Sequence, residues 1–177
     1  KKIKEICPIE PTTCDYDVTL KSQAMVDACN CNTINGSLTI EGGNDFSQLK
    51  VINKINRDLI VTGSLNLDGL DSLKTIGGRL ILKDSNSKEI SGLSYLDSVG
   101  VGVSIISCNL NTLDGLKNLK FIGDAGELLI TENPRLSSLS GLENVKSISG
   151  TVQLENLPLI DDFSGLKNIE HMGSLSI

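Results

Sequence analysis

Leu113-Asp-Gly115-Leu116-Lys-Asn-Leu119-Lys-Phe-Ile122-Gly123, followed by the run Leu128-Leu-Ile130, is the stretch whose reading decides the fold. Its phrase is apolar-x-Gly-Leu-x-x-apolar-x-x-apolar, then a glycine corner, then a short apolar-x-apolar run. Further copies start at Leu67-Asp-Gly69-Leu70, Ile90-Ser-Gly92-Leu93, Leu139-Ser-Gly141-Leu142 and Phe163-Ser-Gly165-Leu166, and Phe46-Ser-Gln48-Leu49 is a degenerate copy without the glycine. The runs open at Leu38, Leu59, Leu80, Val103, Leu128, Val152 and Leu175, spaced by 21, 21, 23, 25, 24 and 23 residues. Self-similarity at this period marks a solenoid, in which each unit buries its apolar face only against its neighbours.

Within one unit the apolar-x-apolar run is the period-2 pattern of a strand with one buried face. Too few residues separate the runs for a long crossover helix with its turns. Each unit is therefore a coil of short strands and corners, with strands of successive coils paired in parallel. One glycine column precedes the strand (Gly36, Gly78, Gly150); the other opens the second leg (Gly69, Gly92, Gly115, Gly141, Gly165). Both call for positive φ or close backbone approach. A third column, five residues after the first apolar strand position, holds Gly43, Ser64, Ser85, Cys108, Asn133 and Leu157. Leucine-rich repeats carry Asn or Cys at that position; here the residues are mostly small, which favours a β-helix over a horseshoe. The expectation is a mainly β protein: a right-handed parallel β-helix of about seven rungs, roughly 30 Å long at the ~4.8 Å strand spacing.

The composition fits a narrow aliphatic core. Of 177 residues, 39% are hydrophobic and only 3% aromatic, with no Trp. A net charge of −6, with acidic residues spread along the chain, argues against nucleic acid and against an anionic membrane surface as partners. No apolar stretch approaches the ~20 residues of a membrane-spanning helix. Four of the five cysteines, Cys7, Cys14, Cys29 and Cys31, crowd into the N-terminal segment. A solenoid must cover the raw end of its core there, so a cysteine-rich cap at 1–33 is expected before β-helical repeats at 34–177, the whole being one continuous domain. Cys-x6-Cys and Cys-x-Cys is not a zinc-ligand spacing, so the cluster implies two disulfides and an oxidising, secretory compartment. Cys108 is expected as a buried free thiol. Val18-Thr-Leu20 is expected as a rudimentary first strand, and Ser22 as the cap of a short helix turning Ala24, Met25 and Ala28 onto the open core. The final run, Leu175-Ser-Ile177, lies inside a strand, and the protein is expected to continue beyond it.

Chemistry finds little purchase. His171 is the only histidine and lies beside Met172, which leaves no Ser-His or Cys-His pair to build elsewhere. The adjacent acids Asp161 and Asp162 sit in a post-strand loop, where solvated charge is the ordinary reading rather than acid–base work. No phosphate-binding glycine loop and no recurring metal-ligand spacing is present, so no enzyme activity, cofactor or metal is expected. Asn35-Gly-Ser37 matches the N-glycosylation sequon, a match common enough by chance to say nothing of secretion.

Residues alternating with the buried strand positions face outward. These include Thr39 and Ser104, and the aliphatics Ile60, Ile81, Ile106 and Leu129, flanked by Asp58, Arg79, Lys83 and Glu127. An exposed aliphatic strip with a charged rim is the composition of a protein-contact surface. The lack of Trp and scarcity of Tyr argue against carbohydrate, which wants aromatic platforms.

Cys14, then Cys31-Asn-Thr-Ile34-Asn-Gly36-Ser-Leu38-Thr-Ile40, then the repeated Gly-Leu phrase, resembles the receptor L domain, and more closely its fungal and protist members than the animal receptors. The resemblance implies a right-handed β-helix and a disulfide between Cys14 and Cys31, leaving Cys7 for Cys29. It implies a non-catalytic extracellular or cell-surface module that binds a protein through the face of its main sheet. The alternative is a structural wall or matrix component of the GPI-anchored kind, in which the same face mediates self-association.

Overall fold

The computed structural model describes residues 12–63, 67–123 and 126–177. Two all-parallel sheets share the chain; the first six coils visit both, and the last two contribute strands to the larger one only. One has six strands: β1 (Thr12–Cys14), β3 (Cys31–Ile34), β5 (Lys54–Ile55), β7 (Thr75–Ile76), β9 (Ser98–Val99) and β11 (Phe121–Ile122). The other has eight: β2 (Val18–Leu20), β4 (Leu38–Ile40), β6 (Leu59–Thr62), β8 (Arg79–Lys83), β10 (Gly102–Ile106), β12 (Glu127–Thr131), β13 (Ser147–Glu155) and β14 (His171–Ser176). This is a parallel β solenoid. Its register follows the sequence period: Leu38 pairs with Leu59, Leu59 with Leu80, Leu80 with Val103, Val103 with Leu128, Leu128 with Val152, and Val152 with Leu175. The short strand at Val18–Leu20 joins the same sheet, Val18 beside Leu38.

The inward columns form one continuous core. Leu80, Ile105 and Ile130 are fully buried in the larger sheet, as are Ile34, Ile55, Ile76 and Val99 in the smaller one. Between the sheets' strands the Gly-Leu phrase makes a tight turn, a 3-10 turn at Ser91–Leu93, Asp114–Leu116 and Ser164–Leu166. Its glycines are there for close approach. A Cβ on Gly69, Gly92 or Gly115 would lie 1.6, 1.6 or 1.9 Å from the carbonyl oxygen of Phe46, Leu67 or Ile90 in the preceding coil. Only Gly141 in this column also has positive φ.

Two features of the coil carry no glycine signature. Three residues after the phrase's glycine, Asn118, Asn144 and Asn168 each donate Nδ2–H to a carbonyl of the coil before, those of Ser94, Lys117 and Glu143, at 2.6–2.7 Å. At the corner that follows the main strand, Asp84, Ser107, Glu132 and Asn156 all adopt φ of 53–56°, and Gly63 takes φ 87° at the same place. The residue after each is the small-residue column. There Asn133 is wholly buried; its Nδ2 donates to the Ile105 and Thr131 carbonyls, and its Oδ1 accepts from the Cys108 amide. Ser64 of that column lies outside the described residues.

At the N-terminal end a helix, α1 (Gln23–Asp27), covers the core, and the Cys14–Cys31 disulfide is formed. The helix faces differ from the expectation. Val26 is the fully buried residue, while Met25 is 43% exposed and Ala24 is exposed; Ser22 makes no side-chain cap bond. Five residues are too short for a periodic pattern to fix a face, and Val26 is the position that reaches Gly43 and so closes the first coil. Cys29 is buried beside Cys31, and its expected partner Cys7 lies outside the described residues. Cys108 is a buried thiol; burial raises its pKa, and its Sγ contacts the Ile106 carbonyl at 3.3 Å.

Candidate functional site: the outer face of the eight-stranded sheet

The outward positions of the larger sheet fall into three rows set by the register of the buried columns. The first row is Asp58, Arg79, Gly102, Glu127; the second is Thr39, Ile60, Ile81, Ser104, Leu129, Gln153; the third is Thr62, Lys83, Ile106, Thr131, Glu155. The expected strip is thereby split. Ile60, Ile81 and Leu129 share a row, but the residue between Ile81 and Leu129 is Ser104, and Ile106 stands one row away between Lys83 and Thr131. Ile106 falls outside the row because rows are set by each strand's core column and not by residue type. Ile60, Ile81, Ile106 and Leu129 are all half-buried.

Ser104 departs from the expectation in a second way. It faces outward by alternation yet is only 7% exposed, because a short side chain lies between two long cross-strand neighbours. Gly102 is likewise buried, beneath an ion pair between Arg79 and Glu127 that reaches across two strand gaps. A side chain at 102 would stand between them. The middle strand therefore presents a shallow floor, Gly102 and Ser104, walled by Ile81 and Leu129 and closed at one end by the ion pair. Sequence alternation placed both residues outward; the register that makes them a floor needs the aligned spacings of 23 and 25 residues.

The remaining rim charges have structural duties. Asp58 Oδ1 accepts from the Arg79 amide at 2.8 Å, and Lys83 Nζ lies 3.9 Å from Asp84. Asn35 is exposed at the corner before β4; its Nδ2 donates to Asp15 and its Oδ1 accepts from Asn56, so it is the middle of a three-residue side-chain ladder.

Asp162 is exposed and held below the usual carboxylate range by the Ser164 hydroxyl and amide, at 2.7 and 2.8 Å. It is an ionised turn residue, unsuited to donate a proton near neutrality. His171 is exposed in β14. Among the described residues no three His, Cys, Asp or Glu side chains gather as a metal site, and no helix is long and apolar enough to cross a membrane.

A parallel solenoid with a disulfide-closed N-terminal cap is the setting in which the comparison with known families falls. The receptor L domain profile matches residues 30–136, more than half of the chain, and the chain belongs to that family. No curated protein and no solved structure matches it. Family and disulfide together indicate an extracellular ligand-binding module.

Proposed function

We propose that the chain is a non-catalytic, extracellular protein-recognition module that engages its partner through the outer face of the eight-stranded sheet. The observation that carries this reading is the half-buried aliphatic row of Ile60, Ile81 and Leu129, with Ile106 beside it and the Arg79–Glu127 pair along one margin. Exposed aliphatics in adjacent strands, rimmed by charge, are what a protein interface buries. No Trp exists in the chain, and neither Tyr16 nor Tyr95 is on a strand of this face, which favours a protein over a sugar ligand. On this reading Asn35, exposed at the corner leading into β4, is an N-glycan acceptor beside the face.

The test is a binding screen of the secreted chain against an extracellular protein library, run with Ile81→Asp and with Phe121→Asp, the latter on the other sheet. A partner of this face binds the parent and Phe121→Asp and loses at least about tenfold in affinity with Ile81→Asp. A partner that binds Ile81→Asp as tightly as the parent removes this face from the function. Association of the chain only with itself, lost in Ile81→Asp, would favour the structural wall-component reading.

A further inference from the structure

The net charge of −6 hides a division of charge across the coil. Between Cys29 and Gly123 the legs that carry the smaller sheet are 29–37, 49–57, 70–78, 93–101 and 116–123. They hold six basic residues, Lys50, Lys54, Arg57, Lys74, Lys117 and Lys120, against two acids, Asp71 and Asp97. The stretches between them, which carry the larger sheet and its corner, hold three basic residues against seven acids. All six cations of the smaller-sheet side are exposed. Arg57 lies 3.8 Å from Asp17, and Lys120 pairs with Asp97 at 2.7 Å. Lys50, Lys54, Lys74 and Lys117 form no ion pair among the described residues.

The same side exposes aromatic rings. Tyr95 is 61% and Phe121 45% exposed, whereas the aliphatics on the outer face of the larger sheet are half-buried. Register brings rings and charges together. Lys54, Thr75, Ser98 and Phe121 lie side by side on successive strands, alternating with the buried Ile55, Ile76, Val99 and Ile122. The Asp97 amide donates to the Lys74 carbonyl and the Lys120 amide to that of Asp97, so the two lysines stand two strand spacings, about 10 Å, apart. Tyr95 walls an open hollow of about 370 Å³ there, lined also by Lys74, Thr75, Asp97, Asn118 and Lys120.

We infer that this hollow and the sheet face around it form a second docking surface, whose occupant is an acidic segment of another protein with an apolar side chain between its carboxylates. The carboxylates meet Lys54, Lys74 and Lys117, and the apolar side chain lies against Tyr95 and Phe121. An acidic partner is repelled from the larger-sheet side and drawn to this one, so charge sets the orientation of approach. A sulfated glycan has no apolar side chain to offer the rings, and it would meet the Asp97 carboxylate inside the hollow; a peptide N–H donates to that carboxylate. The surface is separate from the outer face of the larger sheet, and the inference stands whatever that face binds.

Selection from a random twelve-residue peptide display library tests it, with the Ile81→Asp chain as bait so that the larger sheet's face is not probed with it. The selected peptides are expected to carry Asp and Glu on both sides of an aromatic or aliphatic residue. The commonest of them, synthesised, binds the parent and Ile81→Asp alike. It loses at least about tenfold in affinity with Lys74→Glu and with Tyr95→Ser, keeps it with Lys74→Arg, and weakens as salt is added. Both positions are exposed, and unchanged urea midpoints confirm that the variants fold. Failure to select any peptide, selection of basic or uncharged ones, or equal binding by the parent and either weakening variant overturns the inference. Heparin bound more tightly than the peptide and released by Lys74→Glu would make a sulfated glycan the occupant. Self-association of the parent that Lys74→Glu abolishes would make it a second copy. Either of these results also overturns it.

Discussion

Each coil is closed at two turns, and the two are built on opposite terms. At the Gly-Leu turn the coils approach so closely that a single added carbon would overlap the preceding carbonyl, and the chain answers with glycine five times. At the corner after the main strand the backbone must enter the positive-φ region, which costs an L-residue about 1–2 kcal/mol, yet glycine answers only in two corners, at Gly43 and Gly63. Asp84, Ser107, Glu132 and Asn156 accept the cost there. A missing atom cannot be replaced by packing, whereas conformational strain can be offset by what surrounds it. The first turn is fixed by sterics and the second by context.

The sharpest way to break this contrast is to add one methyl group to each turn. Gly92→Ala puts a Cβ 1.6 Å from the Leu67 oxygen, and the coils must part to admit it; a loss of about 3 kcal/mol or more is expected in urea unfolding. Gly63→Ala meets nothing within 4 Å among the described residues, and the φ penalty sets its expected cost at about 1 kcal/mol. Equal losses would show that the two turns obey one rule after all.

Asn133 probes the context that supports the second turn. Asn133→Ala leaves the Ile105 and Thr131 carbonyls and the Cys108 amide without their side-chain partner in a buried site, and should cost about 2–3 kcal/mol. Asn118→Ala removes an exposed bond to the Ser94 carbonyl, which water can replace, and should cost under about 1 kcal/mol. Unfolding midpoints of the two variants, compared with the parent, check the order.

The contrast also explains which parts of the molecule were readable in the sequence. Steric demands leave a residue-type signature, so the glycine column, the leucines and the register of the seven runs could be counted directly. The left-handed corner could not, because Asp, Ser, Glu and Asn share no feature that announces positive φ. The ladder of Asn118, Asn144 and Asn168 is present as Gly-Leu-x-Asn in three successive copies, at the Gly-Leu turn and not at the corner column where leucine-rich repeats carry asparagine. On the outer face, alternation gave the direction of each side chain but not its row. Alternation alone therefore groups Ile106 with Ile81, and it carries no sign that Ser104 and Gly102 are buried by their cross-strand neighbours. The burial of Val26, on the cap helix, leaves no sequence mark because one helical turn carries no periodicity.

The smallest expected effect has the most unusual sign. If residues at the second turn truly carry strain, replacing one with glycine should stabilise the protein, although glycine in a β protein ordinarily costs about 0.5–1 kcal/mol in unfolded-state entropy. Asp84 is the cleanest site: it is exposed, has φ of 53°, and its one ion pair, with Lys83, is long and solvent-screened. Releasing about 1–2 kcal/mol of left-handed strain against that entropy leaves Asp84→Gly more stable by roughly 0.5 kcal/mol. Asn156→Gly, at φ of 54°, should gain less, since asparagine tolerates this region better than most residues. Both differences are within reach of paired denaturation curves sharing one slope. A loss of about 1 kcal/mol for Asp84→Gly would mean that the aspartate is comfortable at its corner, and that the two turns of the coil differ in geometry but not in what they demand of the chain.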